Sequence, residues 1–239
     1  MRSCHRDLTL SEAAKRVIIE YLDIDPSIID VTNEAPSPAL WHCTDGSRNR
    51  EVRQRAGLPP DARVILYVGG LAPHKNLEGF LEGFALATGS PGLDDVHIAL
   101  VGDFHGAGFH SNFAALQEKV HSDARLQGRV HFTGYLSDTD LVMLYSGALA
   151  LAMPSFSEGF GLPAVEAMAC ATPVLASDRG SLPEVVADAG LFFDPTDVTG
   201  IARSVTAIST DSALRGELSR KALARAGEFS WQKSAETAL

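Results

Sequence analysis

The stretch Ser155-Phe-Ser-Glu-Gly-Phe-Gly-Leu-Pro-Ala-Val-Glu166 follows directly on an apolar run at residues 148–153 and leads into a helical pattern. The apolar run reads as a buried parallel strand, so the local order is strand, glycine turn, helix. A helix N-terminus offers unpaired N–H groups and a partial positive charge. Gly159 and Gly161 let an anion approach that backbone closely. Glu158 stands beside this anion site and Glu166 further along the helix, with seven residues between them. Carboxylates accept hydrogen bonds from sugar hydroxyls. Together these parts describe a site for a phosphate that carries sugars.

The same order recurs along the chain. Residues 63–68, 96–101, 130–133, 173–176 and 191–193 read as further short strands. Residues 76–87, 113–120, 162–170 and 182–187 read as helices, and Ser137-Asp-Thr-Asp140 as a helix start with Leu141, Leu144 and Tyr145 facing inward. The tail at 198–239 is mostly helical, broken near Gly227-Glu-Phe-Ser230. Repeated βα units with buried strands predict an α/β fold, a Rossmann-like doubly wound parallel sheet with a helical C-terminal tail. Gly69-Gly70, Gly102-Asp103, Gly134-Tyr135 and the turn at 155–161 all lie just after strands. They are expected to gather on one sheet edge, where such folds bind ligands.

Composition narrows the function. The chain has 239 residues, 45% of them hydrophobic, enough for one large or two small domains. A net charge of −10 argues against nucleic acid or an anionic membrane as main partner. Cys4, Cys43 and Cys170 lack metal-ligand spacing and are odd in number, which fits a reduced, cytoplasmic compartment. No apolar run approaches the roughly 20 residues needed to span a bilayer, and the N-terminus lacks a signal-peptide core. Asp103, His105 and His110 fit no strong metal-ligand pattern.

The first 45 residues stand apart. Residues 11–22 read as a helix with Ser11 as N-cap and 28–32 as a strand, followed by the proline-rich linker Asn33-Glu-Ala-Pro-Ser-Pro38. One helix and one strand cannot form a domain, so this segment is expected to pack on something else.

Taken in order, these segments resemble the C-terminal, donor-binding half of retaining glycosyltransferases of the GT-B fold, family 4. The segment 155–166 resembles that family's pair of glutamates, and Ala167-Met-Ala-Cys-Ala-Thr-Pro-Val-Leu-Ala-Ser177 the stretch behind it. Gly180-Ser-Leu-Pro-Glu-Val-Val186, Asp188-Ala-Gly-Leu-Phe-Phe-Asp-Pro195, Tyr67-Val-Gly-Gly-Leu-Ala-Pro-His-Lys-Asn76 and Val130-His-Phe-Thr-Gly-Tyr135 are similar to further family segments. The resemblance implies that residues 1–45 are a remnant of an N-terminal acceptor domain plus linker, and 46–239 a nucleotide-sugar-binding domain. It implies transfer of a hexosyl group from a nucleotide diphosphate sugar to an acceptor hydroxyl with retention, without metal or other cofactor. The acceptor, a glycan or lipid-linked glycan, is left open. A complete enzyme of this kind is cytoplasmic, with a place at the inner membrane face compatible with it, and serves polysaccharide biosynthesis. The competing readings are a non-catalytic module that binds nucleotide sugars or serves as a scaffold partner, and a GT-B enzyme that hydrolyses or epimerises nucleotide sugars.

The resemblance also implies roles. Glu158 binds donor sugar hydroxyls, against a plain surface carboxylate favoured at a helix start. Glu166 holds the ribose hydroxyls, against a solvated helix position. Lys75 reaches the diphosphate as a point charge, against an exposed lysine. Phe160, Gly161 and Leu162 offer N–H groups beside Gly159, and Gly69 and Gly70 line the first turn. Gly134 and Tyr135 lie beside the base, with Tyr135 equally readable as a half-buried core aromatic. Pro183-Glu184 caps and shapes a helix near the site. Two departures stand out: Gly70 occupies a place where many family members carry Arg, so that the second charge is either missing or supplied by His74 or Arg179, and Ala171 replaces the usual Gly before Thr172-Pro173.

Overall fold

The computed structural model describes residues 6–104 and 112–238. His105, His110 and Cys4 lie outside the described residues. A small unit comes first: β1 (Asp7–Thr9), α1 (Glu12–Leu22) and β2 (Ile29–Val31), the two strands pairing in parallel. The main body follows as α2 (Gly46–Arg55), β3 (Arg63–Val68), α3 (Leu77–Ala87), β4 (Val96–Val101), α4 (Phe113–Ser122), β5 (Val130–Gly134), α5 (Asp138–Gly147), β6 (Ala150–Met153), α6 (Leu162–Ala169), β7 (Val174–Ser177), α7 (Leu182–Val186) and β8 (Gly190–Phe193). Its six-stranded sheet is parallel throughout, in the order β5-β4-β3-β6-β7-β8. Counted within the sheet this is 3-2-1-4-5-6, the order of a doubly wound Rossmann-like fold.

Side-chain alternation explains the two covered faces. Val64 and Leu66 enter one core, Ile65 and Tyr67 the other. Leu151 and Met153 divide from Ala150 and Ala152 in the same way. A strand buried on both sides has no polar position to spare, so it reads as an unbroken apolar run. On α3, Leu77, Phe80, Leu81 and Phe84 form the buried stripe expected at helical spacing. Hydroxyl caps start α1 and α5: Ser11 accepts from Ala14 N, and Ser137 from Asp140 N.

Three elements differ from the sequence reading. β1 is too short to show alternation. α2 has a single buried residue, Val52, and thus no apolar stripe; it is held by its Asp45 cap, whose side chain accepts from Ser47 N and Arg48 N. The tail has an additional break. α8 (Val198–Thr210) ends at Asp211, which caps α9 (Ser212–Ala226) by accepting from Leu214 N. α10 (Trp231–Ala238) then leaves the large sheet and packs on the small unit, where Thr32 Oγ1 donates to Ser234 O at 3.0 Å and Ser234 Oγ donates to Asn33 O. No helix among the described residues is long and apolar enough to cross a membrane.

Ala171 adopts φ +61°, in the left-handed region. That conformation costs an L-residue roughly 1–2 kcal/mol, whereas glycine loses about 0.5–1 kcal/mol through its freer unfolded chain. Ala171→Gly is therefore expected to raise stability by about 0.5–1 kcal/mol, and Tm by about 2 °C. Calorimetry checks this; a lower Tm would contradict the strain.

Candidate functional site

The sheet order reverses direction at the seam between β3 and β6, where Ile65 pairs with Ala150 and Leu66 with Leu151. The loops leaving these strands diverge and leave a crevice beyond the carboxyl ends. After β3 come Gly69, Gly70 and a short 3-10 turn, Pro73–Lys75; after β6 comes the stretch Pro154 to Gly161. Phe156 N donates to His74 O at 2.8 Å and so ties the two loops together. Asn76, left-handed at φ 53° and buried, donates through Nδ2 to Pro154 O (3.2 Å) and Pro195 O (2.8 Å). Ser177 Oγ donates to Ser155 O at 2.6 Å. The turns after β3, β4 and β5 also abut, since Gly69 N donates to Val101 O and Gly102 N to Gly134 O. A Cβ on Gly102 would sit 2.3 Å from Gly69 O, so no side chain fits there.

The expected residues converge on this edge with one unexpected bond. Lys75 Nζ lies 2.8 and 2.9 Å from the two carboxylate oxygens of Glu158. Their side chains are 24% and 11% exposed, so water screens this pair less than a surface pair. Ser155 Oγ donates to Glu158 Oε1 at 2.6 Å, which fixes the carboxylate further. Tyr67 lies below; burial, and then the Glu158 charge, push its phenol far above the ordinary range, and its hydroxyl donates to Gly70 O. Arg179 is engaged elsewhere, with Asp178 (3.2 Å) and Asp194 (2.9 Å).

Glu166 sits on α6 among Ala164, Val165, Ala167 and Met168, all buried. Burial raises its pKa; a hydrogen bond from Tyr145 Oη, 3.1 Å from Oε2, opposes the rise, and the charges of Asp138 and Glu34 add to it. Withdrawing a carboxylate from water costs stability, and Tyr145 offsets that cost with one hydrogen bond, which marks Glu166 as a candidate site residue. A cavity of about 150 Å³ opens beside the crevice, lined by Leu71, Pro73, Asn76 and Phe156 among others. A larger groove, about 370 Å³, lies away from the seam at the start of α2, beside His42, Cys43 and Arg53. Among the described residues no cluster of three or more His, Cys, Asp or Glu is arranged to hold a metal.

Several expectations need adjusting. Tyr135 is 77% exposed, so it is not a core aromatic. The Phe160 ring is core, 2% exposed and edge-on to Phe229 at 5.7 Å, which leaves its backbone as the part available to a ligand. Leu162 is half-buried against the same core. Glu184 does not cap its own helix; its carboxylate accepts from Glu12 N (3.0 Å) and Ala13 N (3.1 Å), capping α1. Ser11, Asn76, Ser155 and Ser181 also hold the site's loops in place, a role that small polar side chains do not disclose in sequence until their partners are known.

The profile of "Glycosyl transferases group 1" matches residues 48–225. The chain is 38% identical over 167 residues to the Escherichia coli O-antigen chain mannosyltransferase B, covering 70% of this chain and 42% of that protein. It is 35% identical over 231 residues to the D-inositol 3-phosphate glycosyltransferase of Mycobacterium tuberculosis (strain ATCC 25177 / H37Ra), covering 94% of this chain and 45% of that protein. The chain thus spans less than half the length of these relatives. Among solved structures, Anabaena Alr3699/HepE in complex with UDP-glucose superposes with a TM-score of 0.83 at 22% identity, covering 99% of this chain and 63% of that one. With the profile extending over most of the sequence and onto the sheet edge just described, the chain belongs to the group 1 glycosyl transferases.

Proposed function

We propose that this chain binds the nucleotide diphosphate sugar donor of a hexosyl transfer that retains anomeric configuration, as in family 4 of the GT-B enzymes. The observation that carries the proposal is the Lys75–Glu158 pair, held across the topological switch point beside a glycine turn. In the resting state each charge satisfies the other. The donor's phosphates take Lys75 and the N–H groups that open α6, which leaves Glu158 to accept from the sugar hydroxyls. As the bond to the sugar breaks, negative charge grows on the phosphate, where Lys75 and the helix N-terminus stabilise it. The leaving phosphate takes the acceptor's proton, so no protein nucleophile and no metal are needed. Glu166 holds the ribose, and Gly134 and Tyr135 flank the base. The names of the relatives and the UDP-glucose in the Anabaena neighbour support this reading.

A second reading, a donor-binding module without turnover, is favoured by Gly70 and by the engagement of Arg179 with two aspartates, which leave Lys75, among the described residues, as the cation placed for the phosphates. The proposal is confined to the donor half of the reaction.

Glu158→Ala is expected to lower transfer of labelled sugar by at least about 100-fold, the scale of losing a positioning contact. Nucleoside diphosphate affinity should hold or rise, because Lys75 no longer has a competing partner. Transfer at the unaltered rate would sink the assignment. Separately, thermal shifts against a panel of nucleoside diphosphates should show a rise for at least one member, about 2.7 kcal/mol of stabilisation at 100 times Kd.

Glu166 yields a pH prediction. Its folded pKa is raised above the ordinary 4.5, so the folded state holds the proton more tightly than the unfolded chain. Its stabilising contribution is full below 4.5 and is lost as pH rises through the raised value. Glu166→Gln removes the buried charge and keeps an acceptor for Tyr145. The variant should gain Tm over the parent at neutral pH, with the difference shrinking in acid, and should bind nucleoside more weakly. A Tm difference constant across pH 4–8 would contradict the burial effect.

A further inference from the structure

The glycine turn is held from behind by two serines. Glu158 O accepts from Ser181 Oγ at 3.1 Å, Gly159 O from Ser11 Oγ at 2.7 Å, and Phe160 O from Ser181 Oγ at 2.8 Å. Both serines are fully buried. In a trans peptide the carbonyl of one residue and the N–H of the next point in opposite directions. Holding the carbonyls of residues 158, 159 and 160 on the protein side therefore presents the N–H groups of Gly159, Phe160 and Gly161 on the other. Among the described residues none of these three N–H groups has a protein acceptor. Gly180 completes the arrangement: at φ +59° it brings its Cα so near that a Cβ would lie 2.9 Å from Glu158 N and O.

The two serines come from distant parts of the chain. Ser181 immediately precedes α7, while Ser11 belongs to the small N-terminal unit. Glu184, on α7, caps α1 through Glu12 N and Ala13 N and so sets the position of Ser11. Residues 181–184 thus grip the glycine turn with one end and α1 with the other.

We propose that Ser11 and Ser181 are positioning residues for the donor diphosphate, and that the seating of α1 sets how well the turn presents its N–H groups. This rests on the donor-site reading above. Coupling of this kind is reciprocal: a diphosphate that binds the ordered turn also tightens α1.

Calorimetry on the full chain tests it, with UDP and GDP as diphosphate probes and uridine and guanosine as their phosphate-free counterparts. Ser11→Ala should weaken the bound diphosphate about 5-fold, the scale of one lost hydrogen bond, and change the nucleoside by less than 2-fold. Ser11→Thr, which keeps the hydroxyl, should restore diphosphate binding. Ser181→Ala, which frees Phe160 O and leaves Glu158 O only the Ser181 N–H, should weaken it at least as far. Unchanged diphosphate affinity in Ser11→Ala, or equal losses for nucleoside and diphosphate, overturns the inference while leaving the donor site standing. Absence of binding by the unaltered chain overturns the donor-site reading and this inference with it. Hydrogen exchange on the unaltered chain gives a readout free of folding defects: UDP or GDP should slow exchange across Glu12–Leu22, and an unchanged rate there counts against the coupling.

Discussion

The pairing of β3 with β6 is the contact on which this molecule depends. Parallel strands must be joined by crossovers, and right-handed crossovers from these two strands run to opposite sides. The sheet therefore cannot close over its own carboxyl edge at that seam. A crevice arises from topology before any side chain is chosen, and residues placed just after the two strands face each other across it. Lys75 and Glu158 are 83 residues apart in sequence and become hydrogen-bonded neighbours for this reason. The glycines after β3, β4 and β6 keep backbone available where side chains would otherwise fill the space.

The edge is also where the fold concedes stability. Elsewhere the sheet is packed with Val, Ile, Leu and Ala at almost no exposure. Here a carboxylate is kept half-buried on an otherwise apolar helix, a lysine and a glutamate are withdrawn from water, and successive carbonyls are tied down by buried hydroxyls. A core optimised for stability would contain none of these. Their concentration within a few residues of one seam is the strongest physical mark of function on the chain.

Much of this was legible in the sequence. The strands Arg63–Val68 and Val96–Val101 were readable to the residue, because an apolar run closed by glycine has few alternatives. The doubly wound class followed from their repetition. Helix α2 was not legible, since nine of its ten positions carry no buried side chain and its polar face has no period. Glu158 and Glu166 were visible through their setting, but the resting bond from Lys75 to Glu158 was not, because it joins two loops through space. Glu184 illustrates the same limit. Its place at a helix start was evident, yet the helix it caps is α1, 171 or more residues away in the chain.

The path of α10 has a mechanical consequence. The chain passes between the small N-terminal unit and the large sheet twice, once through residues 33–45 and again at residues 227–230, after which α10 joins β2 through Thr32, Asn33 and Ser234. A single crossing would act as a swivel. Two crossings, together with the Ser11 contact to Gly159 and the Glu184 cap on α1, hold the two parts at several points. The anchors nearest the second crossing are firm: Arg225 donates to Val185 O and Glu184 O and lies over the Phe229 ring, which in turn meets Phe160. The second crossing is thereby tied, through the rings of Phe229 and Phe160, to the residue at the centre of the glycine turn.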